Sequence, residues 1–349
     1  VLRIINPALG YLMAKSKNRG SGTRTISSIE WPTVGLLGLC YAIWAGAAFL
    51  VYPAFPAFAL AILAVAAALH SSLQHEVLHG HPTRNARVNE ALVSLPIAIW
   101  FPYRRFRAMH LRHHCDERLT DPYDDPESFY RAAFEYERLP KPFRMLLRFN
   151  NTLAGRLIIG PALMVFGFVA SDLRKIREGN RSILTAWALH LAGVAAVALI
   201  LNAAGIPLWL YLATSAYCGL SLIAIRTFAE HQWSEKPDGR TIIVEKSLLS
   251  ILFLNNNLHL VHHKYPGLAW YELPALYRAR QAEWKSRNGG YFFRSYLDLF
   301  KAYVVRPKEP VAHPVLRLEL EPGRHFHPAS LSNGPAGGLE AVPAKPTKA

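Results

Sequence analysis

Cysteine is scarce: three in 349 residues, at Cys40, Cys115 and Cys218, with no CxxC pair. That excludes a disulfide framework, a CxxCH haem attachment and iron–sulfur ligation, so any electrons the protein uses must come from a separate carrier. Charge is scarce too, at 18% of residues, and acid is the rarer sign: 24 Asp and Glu stand against 39 Lys and Arg, a net charge of +15. With 51% hydrophobic residues, this composition argues against a soluble domain. The positive excess does not indicate nucleic acid, because the basic residues flank apolar runs and no nucleic-acid-binding motif accompanies them. It suits a surface resting on anionic headgroups, or one that attracts an acidic electron-transfer partner. Residues 1–30 lack a cleavable apolar core, so a signal peptide is not expected there.

The chain is rich instead in long apolar runs. Val34–Tyr52, Pro53–Leu73, Ile183–Asn202 and Pro207–Ile225 each approach the ~20 residues that cross a bilayer. Short turns pair them, which predicts an all-α integral membrane fold with four transmembrane helices in two hairpins. Val93–Tyr103 is too short to span and reads as re-entrant or interfacial. Leu157–Ala170 is also short, with Arg148 and Arg156 before it and Arg174, Lys175, Arg177 and Arg181 after it, so it is expected to lie along one face. Arg3, Lys15, Lys17, Arg19 and Arg24 place the N-terminus in the cytoplasm, and two hairpins return the C-terminus to the same side. Three regions follow: a basic cytoplasmic segment over 1–30, a membrane domain over 31–305, and a tail over 306–349. The tail is rich in Pro, Gly, Ala and Ser and is expected to be disordered.

Histidine carries the chemistry. His75 and His79 are spaced HxxxH; His110, His113 and His114, and again His259, His262 and His263, are spaced HxxHH. On a helix, residues three and four apart share a face, so each run aims two or three imidazoles at one region. At this histidine content one HxxHH is expected roughly 0.03 times per chain, and there are two. Neutral imidazole suits zinc, copper, iron and nickel. Eight imidazoles exceed the roughly four of one structural zinc, so they suit two metal ions. All three clusters follow apolar hairpins or precede the next one, which puts them on one cytoplasmic face. His231, alone in Arg-Thr-Phe-Ala-Glu-His-Gln just past the second hairpin, joins them as a ninth candidate ligand.

The remaining histidines read differently. His81 is a turn or supporting residue, His70 and His190 are hydrogen-bonded contacts within spans, and His313, His325 and His327 are solvated in the tail. Glu76, Asp116 and Glu230 are candidates for orienting the ligand imidazoles. Asp121, Asp124, Asp125 and Glu127, set around Pro122 and Pro126, read as turn and cap residues. A rival meaning attaches to His75-Glu-Val-Leu-His79, which fits the HExxH of zinc metalloproteases with Asp238 as a third ligand. That reading leaves both HxxHH runs unexplained, and Asp238 lies in a polar stretch that reads as a turn. A metal transporter would hold its ligands near the bilayer midplane rather than at one surface.

The three boxes, with Arg-Thr-Phe-Ala-Glu-His231 and Asn255-Asn-Asn-Leu-His-Leu-Val-His-His-Lys-Tyr-Pro-Gly, resemble the membrane fatty acid desaturase superfamily over roughly residues 30–300. The Thr120-Asp-Pro-Tyr-Asp-Asp-Pro-Glu-Ser run is similar to its bacterial members. The resemblance implies four transmembrane helices under a cytosolic helical cap that holds two iron ions. It implies His75, His79, His110, His113, His114, His231, His259, His262 and His263 as ligands, with O2 as co-substrate. The implied activity is desaturation of a lipid acyl chain in the membrane. The alternative is hydroxylation or ketolation, by the same centre, of a fatty acyl, carotenoid or amino-acid-derived lipid. Thr227 stands where some relatives carry an Asn four residues before the isolated histidine; Asn255, Asn256 and Asn257 are the candidates to substitute. No His-Pro-Gly-Gly of a fused cytochrome b5 is present, so the donor is expected to be a separate ferredoxin or cytochrome b5. The basic, Ala-rich composition points to a bacterial inner membrane. An unactivated methylene has no acidic proton, so the metal must carry the hard step. Trp100, Phe101, Tyr103 and Phe106 read as interfacial anchors, with a substrate-channel wall as the other option.

Overall fold

The structure is a computed structural model that describes residues 29–115 and 118–315. Asp116, the basic residues Arg3 to Arg24, and His325 and His327 lie outside the described residues. Four helices are long and apolar enough to cross a membrane: α1 Trp31–Val51, α2 Pro56–Leu78, α5 Arg181–Ala203 and α6 Leu208–Glu230. Between α2 and α5 lie α3 Tyr103–His113 and α4 Gly160–Arg177; after α6 comes α7 His259–Lys264. Proline in the first turn starts α1, α2 and α4, where its missing N–H costs nothing. The second span runs five residues past its expected end at Leu73, so His75 sits on the spanning helix itself and not beyond it. The all-helical expectation holds apart from a small parallel sheet. Its strands are β1 Ile243–Lys246 and β2 Phe292–Ser295, with Ile243 in register with Phe292.

Small residues let α2 and α6 approach closely. A Cβ on Gly219 of α6 would lie 2.9 Å from the Ala64 carbonyl oxygen and 2.9 Å from the Ala67 Cβ of α2. This contact sets the two helices that end in the first box and in His231 directly against each other.

Between α1, α2, α5 and α6 the chain from Val93 to Pro102 runs without regular structure, and much of it is buried. Non-helical backbone among spanning helices is tolerated only where protein satisfies its polar groups. Each span supplies one such donor. The Tyr41 hydroxyl on α1 lies 3.1 Å from the Leu92 carbonyl oxygen and 3.3 Å from that of Leu95. Gln74 on α2 donates to Val93 at 3.4 Å, His190 on α5 to Ile99 at 2.6 Å, and Tyr211 on α6 to Ile97 at 2.5 Å. In return, the Trp100 indole donates to the Ala216 carbonyl at 2.9 Å, at the end of a π-helical turn of α6. Val93–Tyr103 is therefore packed against all four of these helices.

Leu157–Ala170 becomes the end of a short helix, Leu153–Ile158, followed by α4. Asp172 of α4, buried, accepts two hydrogen bonds from Arg105 of α3, at 2.8 and 2.7 Å, and one from the Trp187 indole of α5 at 2.9 Å. This one carboxylate ties the helix of the second box to α4 and α5.

The segment after residue 305 departs from expectation. Composition predicts disorder from 306, yet the chain packs against the rest of the protein as far as His313. The Arg131 N–H donates to Val311 at 2.9 Å, and the N–H groups of His313 and Lys308 donate to Arg131 and Asn151 at 2.8 and 2.9 Å. Lys308 buries its ammonium, which donates to the His231 carbonyl and, at 3.1 Å, to the Tyr291 hydroxyl. His313, expected to be solvated, is buried between Tyr130 and Trp233. The Pro/Gly/Ala bias dominates only further along, so composition averaged over the whole tail obscures this anchored start.

Candidate metal centre

Four chain segments deliver the histidines. His75 lies in the last turns of α2 and His79 caps it; His110 and His113 lie on α3 and His114 caps it. α7 carries His259, His262 and His263. His231 follows α6 in extended backbone, φ −130° and ψ 146°, so no helix sets its direction. A bridge to Thr241, the Gln232 N–H bond to Arg240 and the Lys308 bond to its carbonyl hold it in place.

The nine imidazoles form two clusters. His75, His79, His110, His114 and His262 make one; His113, His231, His259 and His263 make the other; within each, the ligand atoms all lie within 4.8 Å of one another. Seven of the nine side chains are buried, and His79 and His231 are half-buried. All nine histidines named from sequence are brought together. Each HxxHH run, however, divides: its first and last members join one cluster and its middle member joins the other.

The supporting bonds fix which nitrogens face inward. His113 Nδ1 donates to Asp125 at 2.8 Å, His110 Nδ1 to Glu127 at 2.9 Å, His259 Nδ1 to the Asn256 side-chain oxygen at 2.8 Å, and His231 Nδ1 to the Arg240 carbonyl at 3.2 Å. In their neutral forms, with those protons committed, these four rings carry lone pairs on Nε2. Yet His113 Nε2 and His259 Nε2 lie 2.9 and 3.0 Å from His231 Nε2. In the five-membered cluster, His114 Nε2 lies 2.9 Å from His110 Nε2 and 3.2 Å from His262 Nε2. Lone pairs at that spacing repel unless a cation sits among them. Moreover, His75 Nε2 and His79 Nε2 are enclosed without any hydrogen-bond partner. The donor set fits two borderline divalent metals such as iron, zinc, copper or nickel.

Electrostatics agree. Burial, followed by repulsion from neighbouring imidazoles, holds His79, His114, His259, His262 and His263 well below the ordinary histidine range; burial and His113 do the same for His231. Metal ligation requires this neutral form. Burial pushes His113 the same way, but Glu127 and Asp125 outweigh it and hold that group at about 9.

Several supporting residues differ from expectation. Asp125 and Glu127 do shape the turn, but each also orients a box imidazole. The signal available in sequence was their position, twelve and seventeen residues after the histidines they contact. Of the carboxylates expected to orient ligands, Glu230 lies 2.8 Å from Arg226 and 3.5 Å from His259 Nδ1. Glu76 turns elsewhere: it accepts from the Trp270 N–H at 3.0 Å and lies 3.7 Å from His81 Nε2. It is therefore not placed as the general base of an HExxH protease. Asp238, that reading's third ligand, is paired with Lys264 at 2.5 Å and Arg287 at 3.0 Å. His81 bonds Glu30 at 2.7 Å and belongs to neither cluster. Of the three asparagines, Asn256 supports His259, whereas Asn255 and Asn257 donate to the Trp270 and Val244 carbonyls. His70 contacts Tyr41 at 3.0 Å, as a helix contact should.

Four helices long and apolar enough to cross a membrane thus accompany two imidazole clusters, each of which could hold a metal ion. The sequence model of the fatty acid desaturase family matches residues 47–295, which include all nine histidines, and the chain belongs to that family. No curated protein matches the chain.

Proposed function

We propose that the protein is a membrane-bound, O2-dependent di-iron desaturase that introduces a double bond into a lipid acyl chain. The observation that carries this reading is the five-plus-four division of nine imidazoles, four of them held with Nε2 inward by bonds at Nδ1. Bound there, two iron ions would supply the reductive activation of O2 that breaking an unactivated C–H bond requires. In the balance, two hydrogens leave adjacent carbons of the chain, two electrons come from the external donor and two protons from solvent, and O2 becomes two waters. The three isolated cysteines support a separate donor, a ferredoxin or a cytochrome b5, and the net charge of +15 favours an acidic one.

The chain's own residues bind and orient. Asp125, Glu127, Asn256 and the Arg240 carbonyl lock four rings with Nε2 inward, which fixes both tautomer and direction. Burial keeps bulk water from most of the ligand set. The basic N-terminal residues and the family support an integral membrane enzyme of a bacterial inner membrane, with both termini and the metal centre in the cytoplasm.

The test is mass spectrometry of total lipids from cells expressing the protein, against a His113→Ala control. Acyl species lighter by two hydrogens, only with the intact protein, are expected. Species heavier by one oxygen would reassign the centre to hydroxylation. Identical product levels from the His113→Ala control would overturn the assignment.

A further inference from the structure

We propose that Lys308 and Glu309 are positioning residues for one half of the metal centre. They clamp the non-helical stretch that carries His231, so the four-imidazole cluster depends on the seating of residues 304–313. The inference rests on reading the two clusters as a dinuclear centre. His231 is extended, and no helix directs it. The stretch 240–242 secures its neighbours: the Ile242 N–H donates to the Glu230 carbonyl at 3.0 Å, and the Gln232 N–H to that of Arg240 at 3.1 Å. Between two such bonds, an extended residue points its own carbonyl to the opposite edge. The Lys308 ammonium meets it there and donates to it. Two residues further on, the Trp233 N–H donates to Glu309 Oε1 at 3.1 Å and lies 2.8 Å from the Tyr130 hydroxyl. Lys308 and Glu309 therefore grip both His231 and the residue two places beyond it.

The ammonium sits in a built site. Its side chain is 3% exposed, and burying a charge is costly unless it is paired. Here Glu309 Oε2 lies 3.7 Å away and the Tyr291 hydroxyl accepts at 3.1 Å. The ring centroids of Phe129, Phe228 and Tyr291 lie 5.2, 5.6 and 5.6 Å from Nζ, within cation–π range. The backbone around it is fixed as well. The Lys308 N–H donates to the Asn151 carbonyl at 2.9 Å, and the Asn151 side chain donates back to the Glu309 carbonyl at 3.1 Å. Ahead of it the Ala154 N–H donates to the Val304 carbonyl at 3.0 Å, and beyond it Ala312 bridges to Arg131. This segment lies past residue 295, where the match to the family ends, so membership of the family does not assign it a role. His231 belongs to the four-imidazole cluster. Loosening its carbonyl should therefore act on the metal of that cluster and spare the other.

The test uses the full chain in detergent, loaded anaerobically with 57Fe(II), read by iron per chain and by Mössbauer spectroscopy. The signal of the four-imidazole cluster is the one that H231A removes. K308M keeps most of the side chain's length and removes its charge and its donors. In K308M the iron of that cluster should bind at least about tenfold more weakly, while the signal of the five-imidazole cluster stays as in the wild type. The unaltered signal reports that the variant is folded. E309A, which removes the carboxylate that accepts from Trp233, should weaken the same iron and spare the other. Both signals unchanged in either variant would overturn the proposal and leave the desaturase reading standing, with His231 held by its other contacts. Equal loss of both signals would overturn it too, showing that the segment supports the fold in general. Wild-type protein that binds no iron would overturn both.

Discussion

His113 and His231 are 118 positions apart in the chain, yet their Nε2 atoms meet at 2.9 Å. Asp125 holds one ring's proton and the Arg240 carbonyl holds the other's. Removing Asp125 should release His113 from this orientation. Asp125→Ala is expected to weaken the four-imidazole cluster's metal by about 10–100-fold. Metal titration of the purified variant checks this; affinity equal to the wild type would show that the ring is held by packing alone.

Lone pairs converging in a buried site repel until a cation occupies it, so metal binding contributes to stability. Free metal at 100 times its dissociation constant adds about 2.7 kcal/mol per site. Stripping with a chelator should therefore lower the thermal midpoint of the detergent-solubilised protein, and adding ferrous iron anaerobically should restore it. A midpoint indifferent to chelation would contradict the fit of the donor set to metal.

Tyr211 serves two partners, donating to the Ile97 carbonyl and accepting from the Trp44 indole at 3.0 Å. Tyr211→Phe leaves both unsatisfied in a buried setting, at a cost of about 1–3 kcal/mol. Chemical denaturation in detergent should show this loss, with metal content unchanged. An unaltered stability would mean that Val93–Pro102 does not depend on the spans for its carbonyl partners.

The Arg105–Asp172 pair is buried, with side-chain exposures of 13% and 2%. Removing one member strands the other, a loss of about 3 kcal/mol or more. Asp172→Ala should destabilise the protein by that order and loosen α3, so that protease cleavage within 103–113 becomes faster. Cleavage there at the wild-type rate would place the anchoring of α3 elsewhere.

Acid sensitivity should trace partly to Glu245 on β1. Burial alone would raise its pKa, but hydrogen bonds from Lys285, Tyr277 and Gln281 outweigh that and lower it from 4.5 to about 2. A depressed carboxylate stabilises the fold above its unfolded value, and that contribution is lost as pH falls from about 4.5 towards 2. The thermal midpoints of wild type and Glu245→Gln should differ at pH 6 and converge towards pH 3. A gap that stays constant with pH would show that Glu245 contributes no proton linkage.

Much of the site was legible because its chemistry lies in residue identity. Spacing named eight of the nine histidines and position after the second hairpin the ninth, His231, while apolar run length found all four spans to within a few residues. The supporting shell was harder to see. Glu127 and Asp125 sit in a Pro-rich stretch whose turn propensity explains them fully at the local level, and nothing local says that the turn folds back onto α3. Lys308 was hidden in the same way: one anchoring cation at the head of a biased tail does not alter its average composition.

Composition and spacing were enough to point to membrane-spanning helices and to imidazole clusters suited to metal, since hydropathy and ligand type are properties of the residues themselves. How the imidazoles divide between the metals depended on packing. At 3.6 residues per turn, positions i and i+4 on a helix differ by about 40°, whereas i+3 lies about 60° to the other side. Each HxxHH run can therefore straddle two centres, but which ring goes to which is settled by the helices around it. α3 and α7 are placed so that His110 and His114 meet His262, while His113 meets His259 and His263. The close approach of α2 to α6 at Gly219, and the bonds that hold His231 outside any helix, complete both sets through contacts far apart in sequence.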